Sequence, residues 1–206
     1  MRRLLLIGGA AALALAGSAY AAFFSQTTTP SNSFTANSAF CVSPGPGAAV
    51  TADADSYVDL FTPTTNFGGA SSIFVNSNGA KTQRVYVHFA LPTPPHNCSV
   101  TAATLRLNAS AATAGRTLNA SQAAASWTEN VITWNNQPGP TGSAASVASG
   151  TGWLSWSVTS EVQAMYSGTN TGFMIADSIE SGGNKLQTFN SREAASNKPD
   201  LTITWG

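Results

Sequence analysis

The residues of this chain that are best suited to chemistry are its few ionised side chains, and two of them are neighbours. Arg192 and Glu193 lie in the segment 191–194, Ser-Arg-Glu-Ala. Neighbouring residues of a regular strand point to opposite faces, so this pair reaches a single ligand only if the chain bends there. We therefore predict a structural clasp in which Arg192 pairs with a carboxylate such as Asp55 or Glu129. Glu193 is expected to accept hydrogen bonds at the edge of the fold.

The sequence contains no arrangement of residues that is typical of a catalytic site. A glycosidase needs two carboxylates across a cleft. Glu129 with Glu193, or Asp177 with Glu180, can be nominated, but no spacing favours either pair. The two histidines form no H-E-x-x-H motif, and no G-x-S-x-G segment is present. We therefore predict that the protein is not an enzyme.

Polar side chains that suit ligand binding alternate with apolar ones along two predicted strands, and Trp153 begins a third. Guanidinium groups bind carboxylates with two parallel hydrogen bonds, and aromatic faces offer stacking surfaces for sugar rings. Such a surface suits an acidic polysaccharide, although an ordinary solvated sheet face has the same composition. The candidate ligand-binding residues are Arg84, Tyr86, His88, Arg106, Asn108 and Trp153.

Two further kinds of site are predicted from oxygen ligands and thiols. Asp53, Asp55 and Asn66 lie near the first predicted strand and offer the oxygen atoms that Ca²⁺ prefers, so a structural calcium ion is expected there. Cys41 and Cys98 form one disulfide bridge if the protein is exported, with two free thiols as the alternative.

The elements that must position these residues follow an N-terminal segment with the features of an export signal. Residues 1–21 combine a basic start, a short apolar run and an A-x-A cleavage site. Without this segment the chain has 9 − 2 = 7 basic against 9 acidic side chains, which gives no electrostatic footprint for nucleic acid. We expect an extracellular protein, secreted or at the cell surface, with no membrane span once the signal is removed.

Residues 22–48 are predicted to form an irregular arm or linker, and residues 49–206 a single domain. In that domain short alternating stretches, such as 82–89, 102–108, 153–158, 172–176 and 201–205, are separated by Gly, Pro and Asn clusters. One short helix is predicted, capped by Thr159 or Ser160 and ended by Gly168. Residues 135–152, rich in Gly, Ser and Ala, are expected to form a mobile loop. The predicted fold is all-β, a jelly-roll-like antiparallel β-sandwich.

Residues 50–205 resemble the DNRLRE domain, which is similar to carbohydrate-binding module family 96. The matching segments are Asp55–Val58, Asn66–Gly68, Arg84–Phe89, Ala103–Leu107, Ser126–Pro138, Val158–Val162, Gly172–Phe173, Phe189–Ala194 and Pro199–Leu201. The most specific of them contain the sequences Trp-Thr-Glu and Ser-Arg-Glu-Ala. The resemblance implies a non-catalytic β-sandwich that binds a polysaccharide or a cell-surface glycan.

The start of the chain resembles another group of proteins. Residues 17–25 and 32–36 are similar to the export region of camelysin-type biofilm-matrix proteins. This resemblance supports an extracellular destination. It also keeps open the alternative that the protein is a structural subunit of an extracellular matrix or surface layer without a specific glycan ligand.

Overall fold

The computed structural model describes residues 40–206. The predicted export signal, the camelysin-type resemblance and most of the predicted arm therefore lie outside the described residues. Most of the regular structure in the described part consists of strands: β1 Gly45–Pro46, β2 Val50–Thr51, β3 Ala54–Asp59, β4 Ser72–Ser77, β5 Gln83–His88, β6 Val100–Ala111, β7 Thr117–Ala123, β8 Pro140–Ala148, β9 Gly152–Ser157, β10 Phe173–Asp177, β11 Lys185–Asn190 and β12 Asp200–Trp205.

Every ladder between these strands is antiparallel, and the sheet curls into two facing layers. One layer has the order β3-β5-β10-β7-β8. In the other, β6 lies between β9 on one side and both β12 and β11 on the other, and β11 continues to β4. A single pair, Asn76 with Gln83, joins the layers through β4 and β5. The predicted fold class, an antiparallel β-sandwich with one helix, is confirmed.

The alternation that predicted the strands also builds the core between the layers. Val85, Val87, Leu105 and Leu107 are fully buried and belong to one apolar cluster, so each strand points its apolar side inward. The cluster extends to Trp156, whose indole nitrogen donates a hydrogen bond of 3.0 Å to the carbonyl oxygen of Leu118 in the opposite layer. Burial of these side chains and the ladders together hold the two layers in register.

Two segments that were predicted to be irregular contain strands. Residues 140–148 form β8 along β7, so the prediction of a mobile loop over residues 135–152 is wrong. Small side chains allow this strand to lie at the edge of a layer, where one neighbour supplies its backbone hydrogen bonds. The end of the predicted arm also pairs, since Gly45 lies opposite Trp205 and Pro46 opposite Thr204. Proline is tolerated there because β1 is an edge strand.

The predicted helix is present as α1, Thr159–Ser167, but its start differs from the prediction. Val158 occupies the N-cap position without a side-chain hydrogen bond, and Thr159 Oγ1 instead accepts a hydrogen bond of 3.0 Å from the backbone N–H of Ala103. A short 3₁₀ helix spans Gly79–Lys81. Across residues 40–206, no helix has both the length and the apolar character needed to cross a membrane.

The predicted disulfide is confirmed, since Cys41 is bonded to Cys98. The bridge lies beside a backbone hydrogen bond of 3.2 Å from the N–H of Val42 to the carbonyl oxygen of His96. The residues that precede β1 are therefore tied covalently to the segment that precedes β6.

Candidate functional site

An open polar surface lies on the outer side of β9, β6 and β12. Residues that lie opposite each other in antiparallel ladders share a face, and the ladders pair Asn108 with Trp153 and Arg106 with both Ser155 and Asp200. We call this surface the Trp153 face and define it by Thr104, Arg106, Asn108, Trp153, Ser155, Ser157, Asp200 and Thr202.

Trp153 is the aromatic side chain of this face, and 40% of it is exposed. The guanidinium carbon of Arg106 lies 4.8 Å from the centre of the indole ring, within the range of a cation–π interaction. Arg106 also donates two hydrogen bonds to Asp200, from Nε to Oδ1 at 2.8 Å and from Nη2 to Oδ2 at 2.7 Å. Asp200 and Trp153 both contact the guanidinium group of Arg106. The indole ring and the remaining N–H donors of Arg106 therefore have a defined position in the protein itself.

The other half of the predicted binding surface is not an open face. Arg84, Tyr86 and His88 do share the outer side of β5, but Tyr86 is 0% exposed. Its hydroxyl group donates to the carbonyl oxygen of Pro138 at 2.5 Å. Burial raises the pKa of Tyr86 well above its usual range. The prediction of Tyr86 as a ligand-binding residue is therefore wrong.

Arg84 and His88 each have a carboxylate partner within the fold. Arg84 forms two hydrogen bonds with Glu180, of 2.6 and 2.7 Å, and its guanidinium carbon lies 4.7 Å from the centre of the Trp134 ring. These hydrogen bonds to Glu180 raise the pKa of Arg84. His88 Nδ1 lies 2.7 Å from Asp53 Oδ1. Neither residue lies on the Trp153 face.

The segment between β7 and β8, residues 124–139, covers this outer side, and we call it the covering segment. Trp127 packs edge-on against Tyr86, with ring centres 5.7 Å apart, and its indole nitrogen donates a hydrogen bond of 3.0 Å to the carbonyl oxygen of Thr171. A second apolar cluster forms beneath it: Val58, Tyr86, Ala123, Ile132, Met174 and Ala176. The sequence signal for this cover is the apolar run of residues 173–176 in β10, a strand in which all five residues are buried. An apolar run without alternation is typical of a strand that is covered on both sides.

A cluster of three carboxylates holds the covering segment to the sandwich. We call Asp55, Glu129 and Glu193 the carboxylate cluster; one oxygen from each lies within 4.8 Å of the others. Arg192 donates to Glu129 from Nε at 2.6 Å and from Nη2 at 2.8 Å, and its Nε lies 2.9 Å from Glu193 Oε1. The structure thus pairs Arg192 with Glu129, one of the two carboxylates considered for the clasp. Asp55 contributes through the backbone: its Oδ2 accepts a hydrogen bond of 2.6 Å from the N–H of Arg192.

Asp55 is the most deeply placed member of this cluster. It is 0% exposed, and its N–H donates a hydrogen bond of 2.8 Å to Glu129 Oε1. Burial raises the pKa of Asp55 to about 7, the Arg192 N–H opposes this, and the charges of Glu193 and Glu129 add to the rise. Within residues 40–206, Asp55 Oδ1 is a buried oxygen that has no hydrogen-bond partner.

The Asn66 and Gly68 motif explains how Glu129 reaches this position. Asn66 Nδ2 donates to the carbonyl oxygens of Glu129 and Ile132, both at 2.7 Å. A Cβ atom on Gly68 would lie 2.4 Å from the carbonyl oxygen of Glu129, so only glycine lets the two backbones approach. The predicted calcium ligands are therefore separated: Asp53 faces His88, Asn66 points its amide nitrogen at backbone oxygens, and only Asp55 belongs to the carboxylate cluster.

One further groove could accept a ligand by its size. It has a volume of about 480 Å³ and lies between α1 and the segment around Cys98, with Tyr166 and Trp205 in its wall. Trp205 is only 6% exposed, and the Tyr166 hydroxyl group donates to the carbonyl oxygen of Pro92 at 2.6 Å. These rings are occupied by packing, so the Trp153 face is the better stacking surface.

A comparison with models of protein families identifies the family of this chain. The model of carbohydrate-binding module family 96 matches residues 46–205, which is more than half of the chain. No curated protein matches the chain. The DNRLRE name and the camelysin-type resemblance of the start stay predictions.

Proposed function

We propose that this protein, which belongs to carbohydrate-binding module family 96, binds a polysaccharide on the Trp153 face outside the cell. The family consists of non-catalytic carbohydrate-binding modules, so the chain is not an enzyme. The location of the binding surface, the class of polysaccharide and the extracellular destination are our proposals.

The exposed Trp153 beside Arg106 is the observation that carries this assignment. An indole that is 40% exposed on a regular strand provides a flat apolar surface of the kind that stacks on a sugar ring. Asn108 lies directly opposite Trp153 in the ladder and offers an amide for sugar hydroxyl groups. The face extends across three neighbouring strands, which suits an extended polymer better than a single sugar.

We further propose that the polysaccharide is acidic. Arg106 uses Nε and Nη2 for Asp200, and its Nη1 atom is left to bind a ligand, because a guanidinium group carries five N–H donors. A uronic acid carboxylate is the natural acceptor for such a donor. The charge of Asp200 offsets that of Arg106, so we expect selective but modest affinity for acidic over neutral chains.

Secretion is proposed from the export signal together with the disulfide. The Cys41–Cys98 bridge suits an oxidising compartment. We expect the protein recovered from culture medium to begin at Ala22, which an intact mass measurement tests. A mass that retains residues 1–21 would contradict this part of the proposal.

The binding face is tested by affinity electrophoresis in gels that contain alginate, polygalacturonate or a neutral glucan. Trp153→Ala should abolish at least nine-tenths of the retardation in the gel that retards the wild type. Phe61→Ala is the matched control, because Phe61 is 63% exposed and is also stacked with a cation, Lys81, at 4.7 Å. Retardation of Trp153→Ala equal to that of the wild type would place the ligand elsewhere. Preference for the neutral glucan would contradict acidic specificity alone.

A structural role in a matrix or surface layer is the second candidate, and β8 is the observation that favours it. In the described part of the chain β8 has a ladder with β7 only, and most of its residues are exposed. An exposed edge strand is able to pair with another chain. Light scattering of the purified protein without glycan tests this role: concentration-dependent assembly supports it, and a monomer at all concentrations contradicts it.

A further inference from the structure

The carboxylate cluster carries more negative charge than its protein partner balances. Three separate segments bring Asp55, Glu129 and Glu193 together, and Arg192 is the cation that contacts them. With all three carboxylates ionised, the group has three negative charges and one positive charge. Asp55 is buried, Glu129 is half-buried and Glu193 is exposed, so the negative charge at the buried end of the cluster favours a further cation or protonation.

We propose that Asp55, Glu129 and Glu193 bind a calcium ion. An unsatisfied oxygen points to this ligand independently of the charges: Asp55 is 0% exposed, and its Oδ1 atom has no hydrogen-bond partner among the described residues. A buried carboxylate oxygen without a partner is costly, and coordination of a metal ion satisfies it.

The geometry of the cluster fits calcium. Two oxygens bound to the same Ca²⁺ are separated by at most twice the calcium–oxygen distance, which is about 4.6–5.2 Å. One oxygen from each of the three carboxylates lies within 4.8 Å of the other two. Ligands made only of oxygen favour a hard cation over zinc or copper. The Glu193 side chain is 25% exposed, so water can enter from that side and complete the coordination.

Arg192 does not fill the cluster. It donates to both oxygens of Glu129 and contacts Oε1 of Glu193, while its contact with Asp55 is made by the backbone N–H to Oδ2. The guanidinium group therefore bridges Glu129 and Glu193, and Asp55 Oδ1 stays available. The ion would join the strand β3 to the covering segment and to the turn after β11, in addition to the contacts these segments already make.

Calcium binding is tested with the full chain, treated with EGTA and then titrated with CaCl₂ or MgCl₂ in a calorimeter. We expect one Ca²⁺ per chain, and at a hundred times the Kd a rise in Tm of about 5 °C or more. Glu193→Gln should weaken calcium binding at least tenfold, and its Tm in EGTA should stay close to that of the wild type. Asp53→Asn is the matched control, because Asp53 lies two residues from Asp55 but outside the cluster.

Three results would overturn the proposal. The first is a wild type that shows neither heat nor a Tm shift with calcium. The second is a loss of binding in Asp53→Asn that Glu193→Gln does not share. The third is a Glu193→Gln variant whose Tm falls equally with and without calcium, which would make the cluster an ion-pair network only. None of these measurements uses a polysaccharide, so their outcome is separate from that of the proposed glycan binding.

Discussion

Replacement of Gly68 by alanine is the sharpest test of how the covering segment is attached. The added Cβ atom would lie 2.4 Å from the carbonyl oxygen of Glu129 and 2.7 Å from its Cγ atom. Carbon and oxygen atoms in contact are normally more than 3 Å apart, so one of the two backbones must move. The atom in the way is a backbone oxygen that Asn66 also holds at 2.7 Å, and a small rotation of a side chain cannot relieve the contact.

The expected cost follows from the two interactions that a shift of Glu129 disturbs. Overpacking of a tight contact costs about 1–3 kcal/mol. A shift that breaks the hydrogen bond from the N–H of Asp55 to Glu129 Oε1 leaves a buried donor unsatisfied, for about 1–3 kcal/mol more. Replacement of a glycine also lowers the conformational entropy of the unfolded chain, which stabilises the folded state by roughly 0.4–1 kcal/mol. We expect a decrease of about 3 kcal/mol in the free energy of unfolding.

Urea denaturation followed by tryptophan fluorescence and far-ultraviolet circular dichroism measures this change. Gly69→Ala is the control, since a Cβ atom on Gly69 meets no atom within 4 Å and neither glycine has a positive φ. We expect Gly69→Ala to stay within about 0.5 kcal/mol of the wild type. If the two variants are equally stable, the close approach of Gly68 to Glu129 does not hold the covering segment, and the reasoning above is wrong.

Three further predictions concern the bridge and the covered face. Loss of the disulfide in Cys41→Ser with Cys98→Ser should lower the free energy of unfolding by about 4 kcal/mol on the chain-entropy argument, measured in urea; an unchanged midpoint would contradict it. The pKa of Tyr86 is raised in the folded state, so the stabilisation from its neutral hydroxyl group is complete below the unfolded pKa of about 10 and decreases as the pH rises above it. Between pH 8 and pH 12 the free energy of unfolding of the wild type should therefore decrease more than that of Tyr86→Phe, which has no group that titrates at this position. Trp127→Phe removes the hydrogen bond to Thr171 and should cost about 1–3 kcal/mol in the same urea assay, whereas Trp153→Phe should change stability by less than about 0.5 kcal/mol.

Local patterns were sufficient to predict the sandwich, because several of its strands, such as β5 and β6, carry their own alternation. The stretch that contains Val85 and Val87 points its apolar side chains to the core as predicted, and the same holds for Leu105 and Leu107. The disulfide was predictable from the count of two cysteines in a chain whose first residues predict an export signal. These inferences needed only neighbours in sequence or the number of residues of one type.

The burial of Tyr86 was not predictable in the same way. A polar residue that alternates with valines indicates the outer side of a strand, but it does not reveal whether another segment covers that side. The cover comes from residues 124–139, which lie far from Tyr86 in sequence. The neighbouring strand β10 contributes Met174 to the same apolar cluster. β8 was missed for a related reason, since its small side chains carry no pattern and its pairing with β7 is a property of the folded sheet.

For the charged residues, the sequence indicates which residues need a partner, but it does not give the distances that decide between the candidate partners. Arg192 needs a carboxylate partner, and the sequence left Asp55 and Glu129 as alternatives. The structure uses both, with Glu129 bound to the guanidinium group and Asp55 bound to the backbone N–H. The predicted calcium ligands were chosen by their proximity in sequence to the first strand, and only Asp55 is in a position to share an ion with other carboxylates.

The Cys41–Cys98 bridge determines how the domain responds to tension along the chain. Force that pulls on the residues before Cys41 and on the C-terminal end passes through the covalent bond to Cys98 and then into β6, so the loop between the two cysteines bears none of it. That loop contains β1 to β5 and Asp55. Cys41 and Cys98 are separated by 57 positions in sequence, and the chain between them would extend to roughly 190–205 Å only after reduction of the bridge. A polymer bound to the Trp153 face would therefore load β9, β6 and β12 first, while the strands inside the loop bear no tension.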